Sequence, residues 1–281
     1  MTKIAISRAL LVAAGAVLVL GTGTTVVTAT EPCDDFGECK VLIEINATDG
    51  DIGFHFLMDG DDLNMARIDD PQGLKVFEDH AKGRLKEQKL TETFVESAEP
   101  LCWFDPEADA DEEIVTLEEF LERWTPGTYI FTGMGDGGEK SKGETELTYE
   151  LPAAPSGLGF DGSVITWAAG NDLGNCASAM DLDILVADEI LPVHPENVAV
   201  AAWEIVLEPD VEDGDPLGQL KFTIRVGGDI ATKAVTVPAD YLSSLPDDTP
   251  AKIEVGAIGM DDNATFTEIF DLCLNEVEGC D

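Results

Sequence analysis

Asp51-Ile-Gly-Phe-His-Phe-Leu57 puts Ile52, Phe54 and Phe56 on one face of an extended chain and His55 on the other. Side chains alternate across a strand with a period of two, so this run reads as a half-buried β-strand with His55 on the solvent side. Upstream, Lys40-Val-Leu-Ile-Glu-Ile-Asn46 has the same β-type character. Downstream come Val76–Ala81, Leu90–Glu96, Trp124-Thr-Pro-Gly-Thr-Tyr-Ile-Phe131 as a turn into a strand, and Glu144–Leu151. Gly, Pro, Asp and Asn clusters bound these runs, as an all-β chain requires. One short helix interrupts them at Leu117–Trp124. There Thr116 and Glu119 form a capping-box pattern, and Leu117, Phe120, Leu121 and Trp124 share a stripe.

Leu151-Pro-Ala-Ala-Pro155 reads as a linker, since its prolines disfavour sheet pairing. The strand rhythm then resumes with Val164–Trp167, Val198–Leu207, Gln219–Val226, Lys233–Val237, Ile253–Ile258 and Ala264–Leu274. Gly170–Pro195 is long for a loop and carries Cys176, which predicts a stapled insertion. Lys3, Arg8, the apolar run Ala9–Leu20 and the small-residue ending Val27-Thr28-Ala29 have the form of a cleavable secretory signal. The expected organisation is a signal peptide over 1–29 and one β-sandwich over 30–151. A second sandwich covers 152–281, with its insertion at 170–195. No membrane span is expected after cleavage, because the apolar run is too short.

The second half carries a resemblance. Pro155, Trp167 in an early strand, Trp203-Glu-Ile-Val-Leu207, Ile253-Glu-Val-Gly-Ala257 and the turn Asp261-Asp-Asn-Ala-Thr265 resemble a fibronectin type III domain. That is a seven-stranded immunoglobulin-like sandwich. Ala251 stands where the family usually has its corner tyrosine, so that corner hydrogen bond is expected to be missing. Residues 40–150, with Pro126-Gly-Thr-Tyr129, are immunoglobulin-like more loosely. The whole is similar to exported bacterial proteins built of such domains. The resemblance implies an all-β chain of two tandem sandwiches that binds, spaces or assembles.

Composition limits the partners. Lys+Arg number 16 and Asp+Glu 57, a formal charge of −41 that becomes −43 once Lys3 and Arg8 leave with the signal. Such a surface repels nucleic acid and anionic lipid. A hydrophobic content of 44% with regular β-type runs argues against disorder. The acidity serves either solubility in salty water or cation binding, and its spread along the chain favours the first. Six cysteines in an exported chain predict three disulfides; of the fifteen possible connectivities the preferred one pairs the two short terminal loops, Cys33–Cys39 and Cys273–Cys280, and leaves Cys102–Cys176.

Few motifs carry chemistry. Gly133-Met-Gly-Asp-Gly-Gly138 matches G-x-G-x-x-G but leads into a strand, so a hairpin is the plainer reading. His55, His80 and His194 lie in no metal-binding helix and no linear ligand spacing. The sharpest local pattern is Asp105, Glu107, Asp109, Asp111 and Glu113, acidic at every second position as a Ca²⁺ loop can be. It is not an EF-hand, and a plain solvated acidic loop is the preferred reading, with a Ca²⁺ loop the alternative. Trp103 and Phe104 beside it could stack on a sugar or anchor the loop. Lys82, Arg84, Lys86 and Lys89 form a basic spot, read as an exposed hairpin tip or as a self-association site. Asn46-Ala-Thr48 and Asn263-Ala-Thr265 match glycosylation sequons. The expected function is non-catalytic recognition or adhesion of a protein or glycan at the cell exterior or in the periplasm, with calcium as the candidate cofactor. The alternatives are a subunit of a surface assembly and a secreted carbohydrate-active enzyme or its accessory module, the last marked by a cleft of aromatics and carboxylates.

Overall fold

Alternation builds the molecule. In the computed structural model, which describes residues 33–103, 113–212 and 214–280, the strands follow the runs of alternating burial. The first half holds β1 (Glu38–Asn46), β2 (Asp51–Leu63), β3 (Met65–Asp69), β4 (Lys75–His80), β5 (Leu90–Glu96), β6 (Gly127–Met134) and β7 (Lys140–Leu147). The second holds β8 (Ser156–Phe160), β9 (Val164–Ala168), β10 (Val200–Pro209), β11 (Phe222–Gly227), β12 (Ala234–Thr236), β13 (Thr249–Gly259) and β14 (Ala264–Leu274). Four short helices lie between them: α1 (Gly83–Gln88), α2 (Leu117–Arg123), α3 (Ala179–Ala187) and α4 (Ala239–Leu242). The chain is all-β in class.

The strands form three sheets, ordered β11-β10-β13-β14-β1-β2-β5, β4-β3-β6-β7 and β12-β9-β8. The expectation placed one sandwich on each side of residue 151, yet the largest sheet draws strands from both halves. They join where β1 pairs in parallel with β14, Glu44 opposite Ala264 and Asn46 opposite Phe266. Both smaller sheets pack on the same face of the large one. The first core gathers Ile43 and Ile45 of β1, Phe54 and Phe56 of β2, Ile68 of β3 and Phe131 of β6. The second gathers Trp167 of β9, Val235 of β12, Trp203 of β10 and Val255 of β13. Among the described residues no sheet packs on the other face of the seven-stranded sheet.

Several sequence expectations are corrected. Leu151–Pro155 is no exposed linker: all five residues are buried. Small apolar side chains let this segment lie between the halves, where Ala153 and Ala154 donate to Pro195 and Asp172 carbonyls and Thr267 Oγ1 donates to Pro155 O. The 170–195 insertion contributes Leu173, Cys176, Leu182 and Leu191 to the first core, not the second. A second helix, α1, joins α2 in the first half, so the Lys82–Lys89 stretch is a helical turn and not a hairpin tip. The run Glu144–Leu151 pairs earlier, as Lys140–Leu147, and then leaves the sheet. β3 and β8 carried no strand signal, being a mixed Met-Ala-Arg-Ile-Asp and a glycine-rich Ser-Gly-Leu-Gly-Phe.

Other expectations hold locally. α2 starts with the full capping box, Thr116 Oγ1 accepting from Glu119 N and the Glu119 carboxylate accepting from Thr116 N. Trp124 then stacks on Phe54 with ring centroids 3.8 Å apart, fixing α2 to the first core. The cysteines pair as Cys33–Cys39, Cys102–Cys176 and Cys273–Cys280. Tyr129 Oη donates to Thr125 O, a short corner in the first half. Ala251, in place of a tyrosine, is simply a core residue.

Candidate functional site

The open face of the seven-stranded sheet concentrates the molecule's partly buried charge. Residues one position out of phase with the cores point there: Lys40, Leu42 and Glu44 of β1, His55 of β2, Glu204 of β10 and Phe266 of β14. A groove of about 410 Å³ runs between them. Phe94 of β5, 54% exposed, stands at one side and Arg225 of β11 at the other. Carboxylates and aromatics therefore share one groove.

Ion pairs lace it. Lys40 Nζ lies 2.6 Å from Glu38 and 3.3 Å from Asp262, which bridges the two halves of the chain. Arg225 pairs with Glu204 across β10 and β11. Outside the groove, on the same face, Lys252 Nζ sits 3.0 Å from Glu268 and 3.5 Å from Glu208. Glu254 faces Glu268 directly across the β13–β14 ladder. Burial, then the neighbouring Glu268, pushes the Glu254 carboxyl up to about 8. Burial, then the charges of Glu99 and Asp49, lifts Asp51 to about 7.

At the other end of the groove His55 meets two carboxylates. Its Nε2 is 3.2 Å from Glu99 Oε1 and its Nδ1 is 3.9 Å from Glu44 Oε2. One donor atom from each of the three residues falls within 4.8 Å of the others. Burial pulls the His55 pKa down, but the hydrogen bond to Glu99 and the charges of Glu44, Glu99 and Glu96 raise it overall. The sequence reading put His55 at the surface, but it is 4% exposed. Alternation assigned the correct face; Phe94, whose ring meets the imidazole edge-on at 6.1 Å, covers it. The symmetry of the β1–β2 pairing, Leu42 opposite His55 and Glu44 opposite Gly53, was the signal that could have placed Glu44 here. Nothing local pointed to Glu99.

The other candidates sit elsewhere. Asp105, Glu107, Asp109, Asp111 and Phe104 lie outside the described residues. Glu113 is exposed and pairs with Arg123 at 3.4 Å. Trp103 closes over Gly50 and donates from Nε1 to Asp49 O, which makes it an anchor. Lys82, Arg84 and Lys86 are exposed on or beside α1, whereas Lys89 pairs with Asp136. Gly133 and Met134 end β6, and Gly135–Gly138 lie in the turn to β7. Neither sequon offers a free amide: Asn46 donates to Asp49 and Glu268, and Asn263 is fully buried. A larger hollow, about 530 Å³ beside α2, is lined by Leu121, Tyr149 and Ile190 with outlying glutamates. Its one inward hydroxyl, of Tyr149, is already bonded to Leu121 O and Trp124 O, so it lacks the convergent polar groups of the sheet groove.

Among the described residues no helix is long and apolar enough to cross a membrane. No family model and no curated protein matches the chain. Three solved structures are similar at low level. A tetra-tandem repeat from the extending region of a large adhesion protein aligns at 12% identity and a TM-score of 0.23, over 84% of this chain and 49% of that one. A biofilm-associated protein's BSP domain aligns at 10% identity and a TM-score of 0.22, over 87% and 30%. A 1.5-MDa bacterial ice-binding adhesin aligns at 10% identity and a TM-score of 0.23, over 88% and 66%. This chain thus spans less than two thirds of each, and scores of this size carry no argument about its function.

Proposed function

We propose that this chain is an exported, non-catalytic recognition or adhesion module whose contact surface is the open face of the seven-stranded sheet, with a protein or glycan as ligand. The observation that carries the reading is the groove across that face; a cleft of aromatics and carboxylates is also the mark of the carbohydrate-active enzyme or accessory module, and the test below separates the two. The groove combines an exposed aromatic, Phe94, with Arg225 and several carboxylates on a scaffold of paired strands and disulfides. Rigid elements hold contact groups in place at low entropic cost. The three-on-four packing of β8–β9–β12 on β10, β11, β13 and β14 supports a fibronectin type III-like second half. Cleavage of residues 1–29, an exterior or periplasmic location and stiffening by calcium through residues 105–113 belong to the same proposal.

The test is binding of the oxidised protein to a printed glycan array and to immobilised cell-envelope protein. A double variant, Phe94→Ala with Arg225→Glu, is compared with wild type. Loss of a wild-type signal in the variant supports the reading. Undiminished binding moves the contact surface elsewhere, and release of reducing sugar from a bound glycan makes the protein an enzyme.

A second reading, a subunit of a surface assembly, is favoured by α1. Its exposed Lys82, Arg84 and Lys86 stand out on an otherwise acidic chain and lie beside the edge strand β5.

A further inference from the structure

We propose that Glu44, His55 and Glu99 form a binding site for a divalent transition-metal ion of the zinc class. The donor set decides the class of ion. One imidazole with two carboxylates suits Zn²⁺ or Mn²⁺, whereas Ca²⁺ takes six to eight oxygens and no nitrogen. The site is therefore distinct in chemistry from the acidic run at 105–113, and it does not depend on what the open face recognises.

Three observations carry it. First, the sheet itself gathers the donors: β1 supplies Glu44, β2 supplies His55, and the chain leaving β5 supplies Glu99. One ring nitrogen of His55 serves one ion: Nε2, 3.2 Å from Glu99 Oε1, is already at the spacing of two such ligands, and the donor atoms, now within 4.8 Å of one another, close to roughly 3.4 Å for bonds of about 2.0–2.2 Å. Second, the floor is dry and the mouth is wet. His55 is 4% exposed, while the Glu44 and Glu99 side chains are 35% and 45% exposed, which leaves an approach for an ion and its remaining waters. Third, Gly53 makes the meeting possible. A Cβ there would stand 2.7 Å from His55 Nε2 and 3.0 Å from Glu99 Oε1, so any larger residue would push the pair apart.

Charge points the same way. Glu96 lies directly across the ladder from His55 and adds a third carboxylate to the neighbourhood.

The experiment titrates ZnCl₂ into the oxidised protein in excess CaCl₂ and MgCl₂, which occupy indiscriminate surface carboxylates. Imidazole resonances are followed by NMR. The chain has 3 histidines, so each ring is resolvable. One equivalent of Zn²⁺ should move the His55 ring and leave those of His80 and His194 in place. Glu99→Gln, at a half-exposed position, should weaken binding by more than roughly tenfold, since even outer-shell changes cost about 10–100-fold. His55→Gln should abolish the one-equivalent phase. Zn²⁺ that moves His80 or His194 instead, binding that Glu99→Gln leaves unchanged, or displacement by the excess Ca²⁺ would overturn the proposal.

Discussion

The backbone amide of Ile43 donates to Asn263 Oδ1 at 2.8 Å across 220 positions of sequence. The same side chain donates from Nδ2 to Thr148 O and Glu150 O. One fully buried amide thus ties β1, the segment leaving β7 and the β13–β14 turn into a single joint. Its Cβ-level truncation, Asn263→Ala, would leave Ile43 N without its partner in a buried site and remove a donor from the part-buried Thr148 and Glu150 carbonyls. An unsatisfied buried group costs about 1–3 kcal/mol, so the variant should lose at least about 1 kcal/mol. Urea unfolding measures this. If the halves are coupled through the joint, the wild type unfolds in one transition and the variant splits it into two.

Stability should fall as pH rises from about 5 to about 8.5. The Glu254 carboxyl, raised by burial and Glu268 to about 8, and Asp51, raised by burial and neighbouring acids to about 7, hold protons in the fold that the unfolded chain releases near about 4. Their contribution is full below the unfolded pKa and is lost as pH climbs through the folded one. His55, also raised, acts in the same sense. Asp248 acts oppositely: backbone amides of Val277, Gly279 and Glu278 depress its pKa, so that stabilisation is lost only in strong acid. Melting temperature at fixed ionic strength should peak on the acid side of neutral. Glu254→Gln should raise the unfolding free energy at pH 8.5 by about 1–2 kcal/mol and flatten the profile.

What the sequence disclosed follows from range. The alternation at 51–57, the capping box at Thr116 and the short loops between terminal cysteines are local patterns, and they were legible. The parallel β1–β14 pairing was not, because it joins residues about as far apart as this chain allows and leaves no periodic trace. The same distance hid the role of Leu151–Pro155. Two prolines around two alanines spell a linker locally, and only packing from both sides turns the segment into a buried wedge. The candidate site failed for a related reason. Alternation tells which face His55 takes, but coverage by Phe94 and Glu99 depends on β5 arriving alongside β2.

The Cys102–Cys176 bridge should matter more than either terminal one. It closes a separation of 74 residues, against 6 for Cys33–Cys39 and 7 for Cys273–Cys280. Chain-entropy arguments put its upper contribution at about 4 kcal/mol and that of the short loops nearer 2. It also holds the insertion to the first core through the buried Cys176. Cys102→Ser with Cys176→Ser should therefore lower the melting temperature more than the paired removal of either terminal bridge. An equal fall for all three would show that loop closure is not the source.

Reversing Lys82, Arg84 and Lys86 to Glu removes the exposed basic spot while leaving the Lys89–Asp136 pair intact. If copies associate head to tail through α1, low-salt sedimentation should show concentration-dependent oligomers for the wild type and a monomer for the triple variant, and about 0.15 M salt should weaken the wild-type contact as screening shortens to about 8 Å. Oligomers that survive the reversal would remove α1 from the interface.

Salt separates the two meanings of the acidity. A formal charge of −41 repels itself in the compact state, and any salt should relieve that by screening. Ca²⁺ bound by residues 105–113 would add a saturable term that grows as RT ln(1 + [Ca²⁺]/Kd) and that EDTA removes. Melting curves at matched ionic strength in NaCl and CaCl₂ distinguish them. A Ca²⁺-specific rise of about 3 kcal/mol at a hundredfold excess over Kd, lost in Asp105→Asn with Asp109→Asn, would make the loop a ligand. Equal rises in both salts would leave screening as the whole effect, and the contribution of the acidic run would then be to solubility alone.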